Sequence, residues 1–565
     1  MDRITSSLLS EFCLEHDLGR LSEEKQFEHF ACYLAVSRNY NETFDSANVV
    51  TGKGDDTGID GFACIINGTL VSDPDLISEL VETNGYIDAI FVFVQAARSS
   101  SFESAKLGTF AFGVRDFFSN SPKLPRNSMV ASSAEVMAEV YKYSSKFTNG
   151  NPVCRLYYVT TGKWTDDPAL EGRRSAEIQD IKALRLFRDV EIIPIDADKI
   201  QRFYNETKNK ISRDFAFPVR AVIPDIPGVD EAYLGLIPAR EFLSLIQDEN
   251  GEIIKSLFYD NVRDWQDFNP VNADMKQTLD SREQRPRFAL MNNGITLIAK
   301  KMRGTGNRFF IEDYQVVNGC QTSHVLYHCR EQLDASVMVP LRLIATNNED
   351  VIGAIIKATN RQTEVKEEHL LALSDFSKKL EAFFPTFSPQ HLYYERRSKQ
   401  YNGDPSVEKT RVITPGSLIR AFASVFLQEP HRATRNYRAL LDGVGKNIFA
   451  PNHRLEPYYV AAFILYRLEF LFRNQVLDPK YKPARHHILL AARIRAARDT
   501  LPPMNSNEMR RYCEKALDVL GDSAKSDASF IEAAHVVETV AKGNFDRDHI
   551  RTQPFTESLI ASARQ

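Results

Sequence analysis

Two segments of this sequence end in oxygen-bearing side chains that could bind a divalent cation. The glycine-rich segment 52–61 carries Asp60 directly before an apolar run. The segment 87–98 is nearly continuous apolar sequence until it reaches Gln95. Carboxylate and amide oxygens are ligands that Mg²⁺ accepts in proteins. If both apolar runs are strands of one sheet, their ends predict a site for Mg²⁺ or Mn²⁺.

A further ligand could come from a helix that precedes these segments. The spacing of Phe27 and Phe30 belongs to a pattern that predicts a helix over about residues 21–40. Glu28 lies within this helix and could add a second carboxylate. The carbonyl of residue 96 could supply another oxygen.

A plainer interpretation of the same residues stays open. Turns rich in glycine and aspartate are common, so Asp60 alone is weak support for a metal site. Gln95 could simply end a strand, and a glutamate on a helix, such as Glu28, usually faces water. The metal hypothesis therefore depends on the three side chains occurring together.

In order and type, these residues resemble the PD-(D/E)xK nuclease superfamily over about the first two hundred residues. The superfamily has a glutamate on the first helix and an aspartate that opens a strand. On the next strand, Glu or Gln stands two residues before a lysine. The resemblance implies that Glu28, Asp60 and Gln95 hold Mg²⁺ in a restriction-endonuclease-like domain that hydrolyses phosphodiester bonds.

The chain departs from the superfamily pattern at Ala97, where the superfamily has a lysine that orients water or stabilises the transition state. Ala97 shares a strand face with Gln95, whereas Arg98 would point to the other face. Three explanations stay open. The first is that catalysis was lost naturally. The second is that Lys106 on the following predicted helix has taken over the role of the lysine. The third is that alanine is a designed replacement for lysine. The third is favoured because the surrounding pattern is intact.

Length and composition limit the kind of protein. A chain of 565 residues is too long for one hydrophobic core, so two to four domains are expected. The net charge of −5 restricts any nucleic-acid surface to a local patch. The seven cysteines include no CxxC pair, which suits a reducing cytosol. No signal peptide or membrane span is recognisable, so we expect a cytoplasmic protein without a membrane partner.

Alternating strand and helix patterns predict a multi-domain α/β fold. We expect a nuclease-like domain over residues 1–215, because polar and proline-rich sequence follows it. A mixed α/β central domain is expected over residues 216–430 and a helical region over residues 431–565. The basic segment 482–498 within that helical region is expected to be a solvated face.

The middle of the chain contains six polar motifs. They are, in order, Phe258–Asp264, Val271–Asn272, Phe288–Thr296, Gln315–Ser323, Ala358–Thr363 and Tyr393–Arg397. Together and in this order they resemble the AIPR family, the abortive infection phage resistance proteins. The resemblance runs from about residue 216 to beyond residue 430 and implies a central AIPR domain.

Amide and guanidinium side chains in these motifs could contact nucleic acid. Amides donate and accept hydrogen bonds, and arginines neutralise phosphates. The candidate binding residues are Asn292, Asn293, Asn318, Gln321, Asn360, Gln362, Arg263, Arg396 and Arg397. The alternative is that the amides are buried and pin loops by binding backbone groups. The set as a whole favours a polar binding groove.

These patterns predict an anti-phage protein of the abortive-infection type. Its active form would be a Mg²⁺-dependent endonuclease acting on DNA or RNA, and Ala97 would make this chain inactive. The expected partners are nucleic acid, a phage-derived trigger and further copies of the chain in a homo-oligomer. Two alternatives are a non-catalytic module that binds nucleic acid or senses phage, and a structural assembly protein.

Overall fold

The computed structural model of this chain divides into two compact units. Unit 1 comprises Met1–Thr207 and Ser374–Gln565, and unit 2 comprises Lys208–Leu373. The structure describes all residues except 41, 53, 55, 149, 166, 209–210, 248–250, 252, 259–269, 360–373, 397–399, 402–403, 405, 436 and 499. The boundary predicted at residue 215 lies near the start of unit 2, and the one at 430 lies inside unit 1. The division into three sequence domains stays a prediction.

The first part of unit 1 alternates helices and strands, as its sequence pattern predicts. The helices are α1 (Arg3–Glu15), α2 (Glu23–Ser37), α3 (Asp75–Asn84), α4 (Ser104–Phe117), α5 (Ser128–Lys142), α6 (Pro168–Lys182) and α7 (Ala197–Lys208). The strands are β1 (Gly61–Ile66), β2 (Thr69–Val71), β3 (Ala89–Ala97), β4 (Val153–Thr160) and β5 (Asp189–Ile195). Helix α2 begins directly after Ser22, because the Ser22 hydroxyl caps it by accepting a hydrogen bond from the Lys25 amide.

The five strands form one mixed sheet in the order β2-β1-β3-β4-β5. Strand β1 runs antiparallel to β2 and β3, whereas β3, β4 and β5 are parallel. Strand β3 is central and is covered on both faces, since Phe91 and Phe93 pack into one apolar cluster and Val92 and Val94 into another. This double burial explains the nearly uninterrupted apolar sequence of β3.

The second part of unit 1 is mostly helical. Its helices are α12 (Asp375–Phe383), α13 (Pro415–Val425), α14 (Arg432–Arg435), α15 (Tyr437–Leu441), α16 (Glu456–Arg473), α17 (Arg485–Ala497), α18 (Asn507–Leu520), α19 (Ser523–Ala541), α20 (Arg547–Ile550) and α21 (Gln553–Ala563). Two short strands, β12 (Tyr393–Tyr394) and β13 (Val412–Ile413), pair in parallel. Arg551 binds Asp73 and Asp75, so this part packs against α3 through ion pairs.

The expectation that segment 482–498 is a solvated face is wrong. Helix α17 is buried along almost its whole length, and His487 and Arg493 are only 1% and 3% exposed. The guanidinium of Arg493 is accommodated because it donates to the Val425 carbonyl and to the Tyr512 hydroxyl.

Unit 2 is built on a six-stranded sheet in the order β6-β10-β9-β11-β8-β7. The strands are β6 (Ser212–Ala216), β7 (Val219–Val222), β8 (Glu231–Pro238), β9 (Ile295–Thr305), β10 (Arg308–Asn318) and β11 (Met338–Ala345). The helices are α8 (Ala239–Ile246), α9 (Pro270–Asp280), α10 (Cys320–His328) and α11 (Glu349–Thr359). The mixed α/β character predicted for this part of the chain is confirmed.

Among the residues that the structure describes, no helix combines the length and apolar character needed to cross a bilayer.

Candidate metal centre

Asp60 and Gln95 meet at the end of the central strand. The Asp60 backbone amide donates to the Val94 carbonyl over 2.8 Å, which fixes the residue beside β3. Oδ2 of Asp60 then accepts hydrogen bonds from the Ala96 amide at 2.7 Å and from Nε2 of Gln95 at 2.5 Å. The two side chains that the sequence places at separate strand ends are therefore in direct contact.

Glycines allow the turn before β1 to lie against its neighbours. Gly58 has a positive φ of 74° and its amide donates to the Asp56 carboxylate over 2.9 Å. A Cβ atom on Gly61 would lie 2.3 Å from Sγ of Cys32, so helix α2 leaves no room for a side chain there. These two requirements explain the glycines on either side of Asp60.

Glu28 faces the same cluster but already has a partner. It is 6% exposed, and Nζ of Lys25 lies 2.8 and 2.7 Å from its two carboxylate oxygens. The same ammonium donates to the Gly52 carbonyl over 3.1 Å. Lys25 is therefore a basic residue at the predicted site that the sequence analysis missed. The sequence indicated this ion pair only through the spacing of Lys25 and Glu28, which lie three residues apart on one predicted helix.

The carboxylates of the cluster favour a positive charge. Burial raises the pKa of Asp60 to about 7, and nearby Glu28 and Asp56 add to this rise while the Ala96 hydrogen bond and Lys25 oppose it. Burial also raises the pKa of Glu28, against the effect of Lys25. Burial disfavours the Lys25 ammonium, but the carboxylates outweigh it and the pKa of Lys25 is raised. A bound cation would replace the proton that Asp60 holds near neutral pH.

Ala97 lies next to this cluster without contributing a charge. It packs against the same apolar cluster as Phe93, on the face of β3 that also carries Gln95. Arg98 pairs with Glu23 of α2 over 3.2 Å, on the other face as predicted. Lys106, the proposed replacement for the lysine, pairs with Glu103 over 3.2 Å and is half exposed.

The oxygens present fit a divalent cation only if an amide or carbonyl takes part. Among the described residues, no group of three His, Cys, Asp or Glu side chains is suitable for holding a metal ion. Nε2 of Gln95, however, lies 2.5 Å from the Asp60 carboxylate and 3.3 Å from the Ala96 carbonyl. A half-turn of the Gln95 amide would present its oxygen to the same point. Asp60, Gln95, the Ala96 carbonyl and Glu28 carry oxygens of the kind that Mg²⁺ accepts, and their binding of a common cation stays a prediction.

The candidate binding residues of the middle region divide between the two units. In unit 2, Asn292 donates to the Phe288 carbonyl and accepts from the Gly294 amide at 2.8 Å. Asn318 donates to the Thr359 carbonyl over 2.8 Å. Both amides hold loops, as the plainer interpretation of the sequence describes.

Two further candidates differ in their surroundings. The carbonyl oxygen of Gln321 accepts a hydrogen bond from Asn272 at 2.7 Å, whereas Asn293 is exposed. In unit 1, Arg396 is buried and donates to Glu381 over 2.6 Å. The other four candidates lie outside the described residues: Arg263, Asn360, Gln362 and Arg397. A role in ligand binding stays a prediction for the whole set.

The architecture is thus that of a mixed α/β protein with a carboxylate–amide cluster at the end of a central strand. Residues 258–520 match the family model for the AIPR protein. The match covers a little less than half of the chain, begins within the first of the six motifs and ends with helix α18. The predicted AIPR resemblance is confirmed over this range, and the PD-(D/E)xK resemblance stays a prediction. No curated protein and no solved structure gives a significant match.

Proposed function

We propose that this chain is an AIPR-type protein of anti-phage defence that acts by abortive infection. In this proposal the first part of unit 1 is a restriction-endonuclease-like domain of the PD-(D/E)xK type, specific for phosphodiester bonds of DNA or RNA. The chain with Ala97 binds the cation and the nucleic acid but does not cleave. The match of residues 258–520 to AIPR supports the role in defence.

The single observation that carries the nuclease proposal is the contact between Asp60 and Gln95. Oδ2 of Asp60 and Nε2 of Gln95 lie 2.5 Å apart, although the residues are separated by 35 positions in sequence. Glu28 lies close enough to raise the pKa of Asp60. Hard oxygen donors from a helix and two strand ends are the ligands that a Mg²⁺-dependent nuclease requires.

Each residue has a distinct role in this proposal. Asp60 and Glu28 supply negative charge, and Gln95 and the Ala96 carbonyl complete the oxygen donors. The Ala96 amide and the surrounding backbone hold Asp60 in one orientation. When bound, Mg²⁺ would activate a water molecule and offset charge on the phosphate. A lysine at position 97 would extend from the face of β3 that carries Gln95, where its ammonium stabilises the charged transition state.

A second candidate function is a non-catalytic module that binds nucleic acid or senses phage. The ion pair between Lys25 and Glu28 favours it, because an ammonium already neutralises one of the proposed ligands. In that case Ala97 is the native residue. A phage-derived trigger and a homo-oligomer belong to both proposals.

The test is a cleavage assay on the full chain with Ala97→Lys, Ala97→Met and the double variant Ala97→Lys/Asp60→Asn. Single- and double-stranded DNA and RNA are incubated with Mg²⁺ or with EDTA. Methionine matches the length of lysine but carries no charge, so it separates charge from packing. The lysine variant should cleave at least about a hundredfold faster than the methionine variant. Asp60→Asn should abolish that gain.

If Ala97→Lys cleaves nucleic acid and this cleavage requires both Mg²⁺ and Asp60, the result would support the proposal of a nuclease. Binding of nucleic acid without cleavage by any variant would support the non-catalytic module. If no variant cleaves or binds nucleic acid at low salt, both functions are wrong and a structural role becomes the leading alternative.

A further inference from the structure

Unit 1 contains a cavity of about 320 Å³ that the proposed nuclease does not use. It lies between α12, the segment that precedes α16 and the first residue of α16. Its lining includes Phe376, Lys379, His453, Arg454 and Glu456. None of the residues of the candidate metal centre lines it, so this cavity requires its own explanation.

The lining carries more positive than negative charge. Lys379 is exposed, and among the described residues it forms no hydrogen bond or ion pair. Within the part of the chain that the structure describes, the Arg454 guanidinium makes two long contacts, 3.4 Å to Asn507 and 3.4 Å to Glu456, and its buried Nε has no hydrogen-bond partner. Two cations and one carboxylate leave a net charge of about +1 at neutral pH, because burial lowers the pKa of His453.

The helix end at the cavity adds to this preference for an anion. Helix α16 has 18 residues, and Leu455 at its N-terminal boundary provides no side-chain cap. In the first turn, Pro457 has no backbone N–H, and the amides of Tyr458 and Tyr459 donate to the Leu455 carbonyl. The preference for negative charge here therefore rests on the positive end of the helix dipole. Glu456, the first residue of α16, already places one negative charge at this helix end. Its carboxylate therefore limits the negative charge that a bound ligand can carry.

The remaining wall suits a flat, weakly polar group. The Phe376 ring is buried against Tyr458, with 5.0 Å between the ring centres, and Pro451 and Leu455 add apolar surface. The amides of Asn452 and Asn505 line the cavity and are exposed. Aromatic and apolar surface beside free amides is the combination that binds a nucleobase and its sugar.

We propose that this cavity binds one nucleoside unit through a singly charged phosphodiester. The charge of one phosphodiester balances the net charge of the lining, whereas a triphosphate would exceed it. A volume of about 320 Å³ is at the lower end of ligand sites and accommodates a single nucleotide. The phosphodiester lies between Lys379 and Arg454, and the base lies on the Phe376 side. A free cyclic mononucleotide and one nucleotide of a strand share this chemistry.

The test is isothermal titration of the full chain with five probes in EDTA, so that no divalent cation contributes. The probes are 3′,5′-cyclic AMP, 3′,5′-cyclic GMP, the dinucleoside monophosphate ApA, adenosine and inorganic phosphate. Lys379→Glu reverses an exposed charge and should not impair folding. Lys525→Glu is the matched control, an exposed lysine outside the cavity.

At least one phosphodiester probe should bind, and Lys379→Glu should weaken that binding by about tenfold or more relative to Lys525→Glu. Glu456→Gln removes the opposing carboxylate and should tighten the same binding several-fold. Binding of a cyclic nucleotide but not of ApA identifies a free ligand, and the reverse identifies a strand.

Three results would overturn the proposal. The first is that no probe binds at millimolar concentration. The second is that phosphate or adenosine binds as tightly as the phosphodiesters. The third is that Lys379→Glu and Lys525→Glu bind the phosphodiester probe equally well. None of these results bears on cleavage by Ala97→Lys, so the nuclease proposal is tested separately.

Discussion

Nζ of Lys25 lies 2.8 and 2.7 Å from the two carboxylate oxygens of Glu28. The ammonium thus occupies both oxygens of a carboxylate that we propose as a metal ligand. Its charge also acts on Asp60, whose pKa it lowers against the larger effect of burial. A divalent cation bound at the proposed site would therefore compete with Lys25 for the same negative charge.

We predict that Lys25→Met tightens the binding of Mn²⁺ to the full chain. Without the ammonium, both Glu28 oxygens become available to the cation, and we expect the affinity to rise by about tenfold. Mn²⁺ titration followed by electron paramagnetic resonance measures this directly. Lys142→Met, which removes an exposed lysine paired with Glu139, is the control and should leave the affinity unchanged. Equal affinities in both variants would show that Lys25 does not compete.

The elevated pKa of Asp60 predicts a pH dependence of stability when no metal is bound. The folded chain keeps a proton on Asp60 up to about pH 7, whereas the unfolded chain releases it near the ordinary value of 3.8. The contribution of Asp60 to the free energy of unfolding is therefore fully present below about pH 4. As the pH rises from about 4 to 7 this contribution is lost, and the free energy of unfolding should fall by roughly 2–4 kcal/mol.

Denaturant unfolding in EDTA from pH 4 to 8 checks this prediction. Asp60→Asn should become more stable than the unsubstituted chain as the pH rises, because asparagine cannot lose a proton. The affinity for a metal ion should change with pH in the opposite direction to the stability. It should increase as the pH rises through 7, because the cation displaces the proton of Asp60. Parallel stability curves for the two proteins would contradict the assigned environment of Asp60.

The ion pairs of Arg551 should hold the last helices of unit 1 against α3. The Arg551 side chain is 5% exposed, and its Nη1 lies 2.6 Å from the Asp75 carboxylate. Arg551→Met leaves two partly buried carboxylates without this partner, which should cost about 2–4 kcal/mol. Hydrogen exchange should then increase in α3 and α21.

Lys542→Met, which changes an exposed residue in the same part of the chain, is the control for this prediction. If exchange in α3 and α21 is the same in both variants, the ion pairs do not hold these helices in place.

The strands that carry the candidate metal centre were readable from local sequence. An uninterrupted apolar run predicted β3, and the glycines around Asp60 predicted a turn that opens β1. Local sequence did not show that β1 and β3 are neighbours, and it is their pairing that brings Asp60 next to Gln95.

What local patterns could not supply are contacts between distant parts of the chain. Arg551 and Asp73 are 478 residues apart, and no periodicity links them. Arg493 was expected to face water because it lies in a basic segment, but Val425 and Tyr512 satisfy its guanidinium in the interior. Lys25 was overlooked because its role depends on the burial of Glu28, which the helix pattern left undecided.

In the proposed metal centre, Asp60 and Gln95 hold one divalent cation. The most direct measurement is Mn²⁺ binding at pH 8 to the full chain, to Asp60→Asn and to Gln95→Leu. We predict a single tight site in the unsubstituted chain, its loss in Asp60→Asn, and an affinity about tenfold lower in Gln95→Leu. Equal Mn²⁺ binding by all three proteins, or no binding by the unsubstituted chain, would rule out a metal site at Asp60 and Gln95.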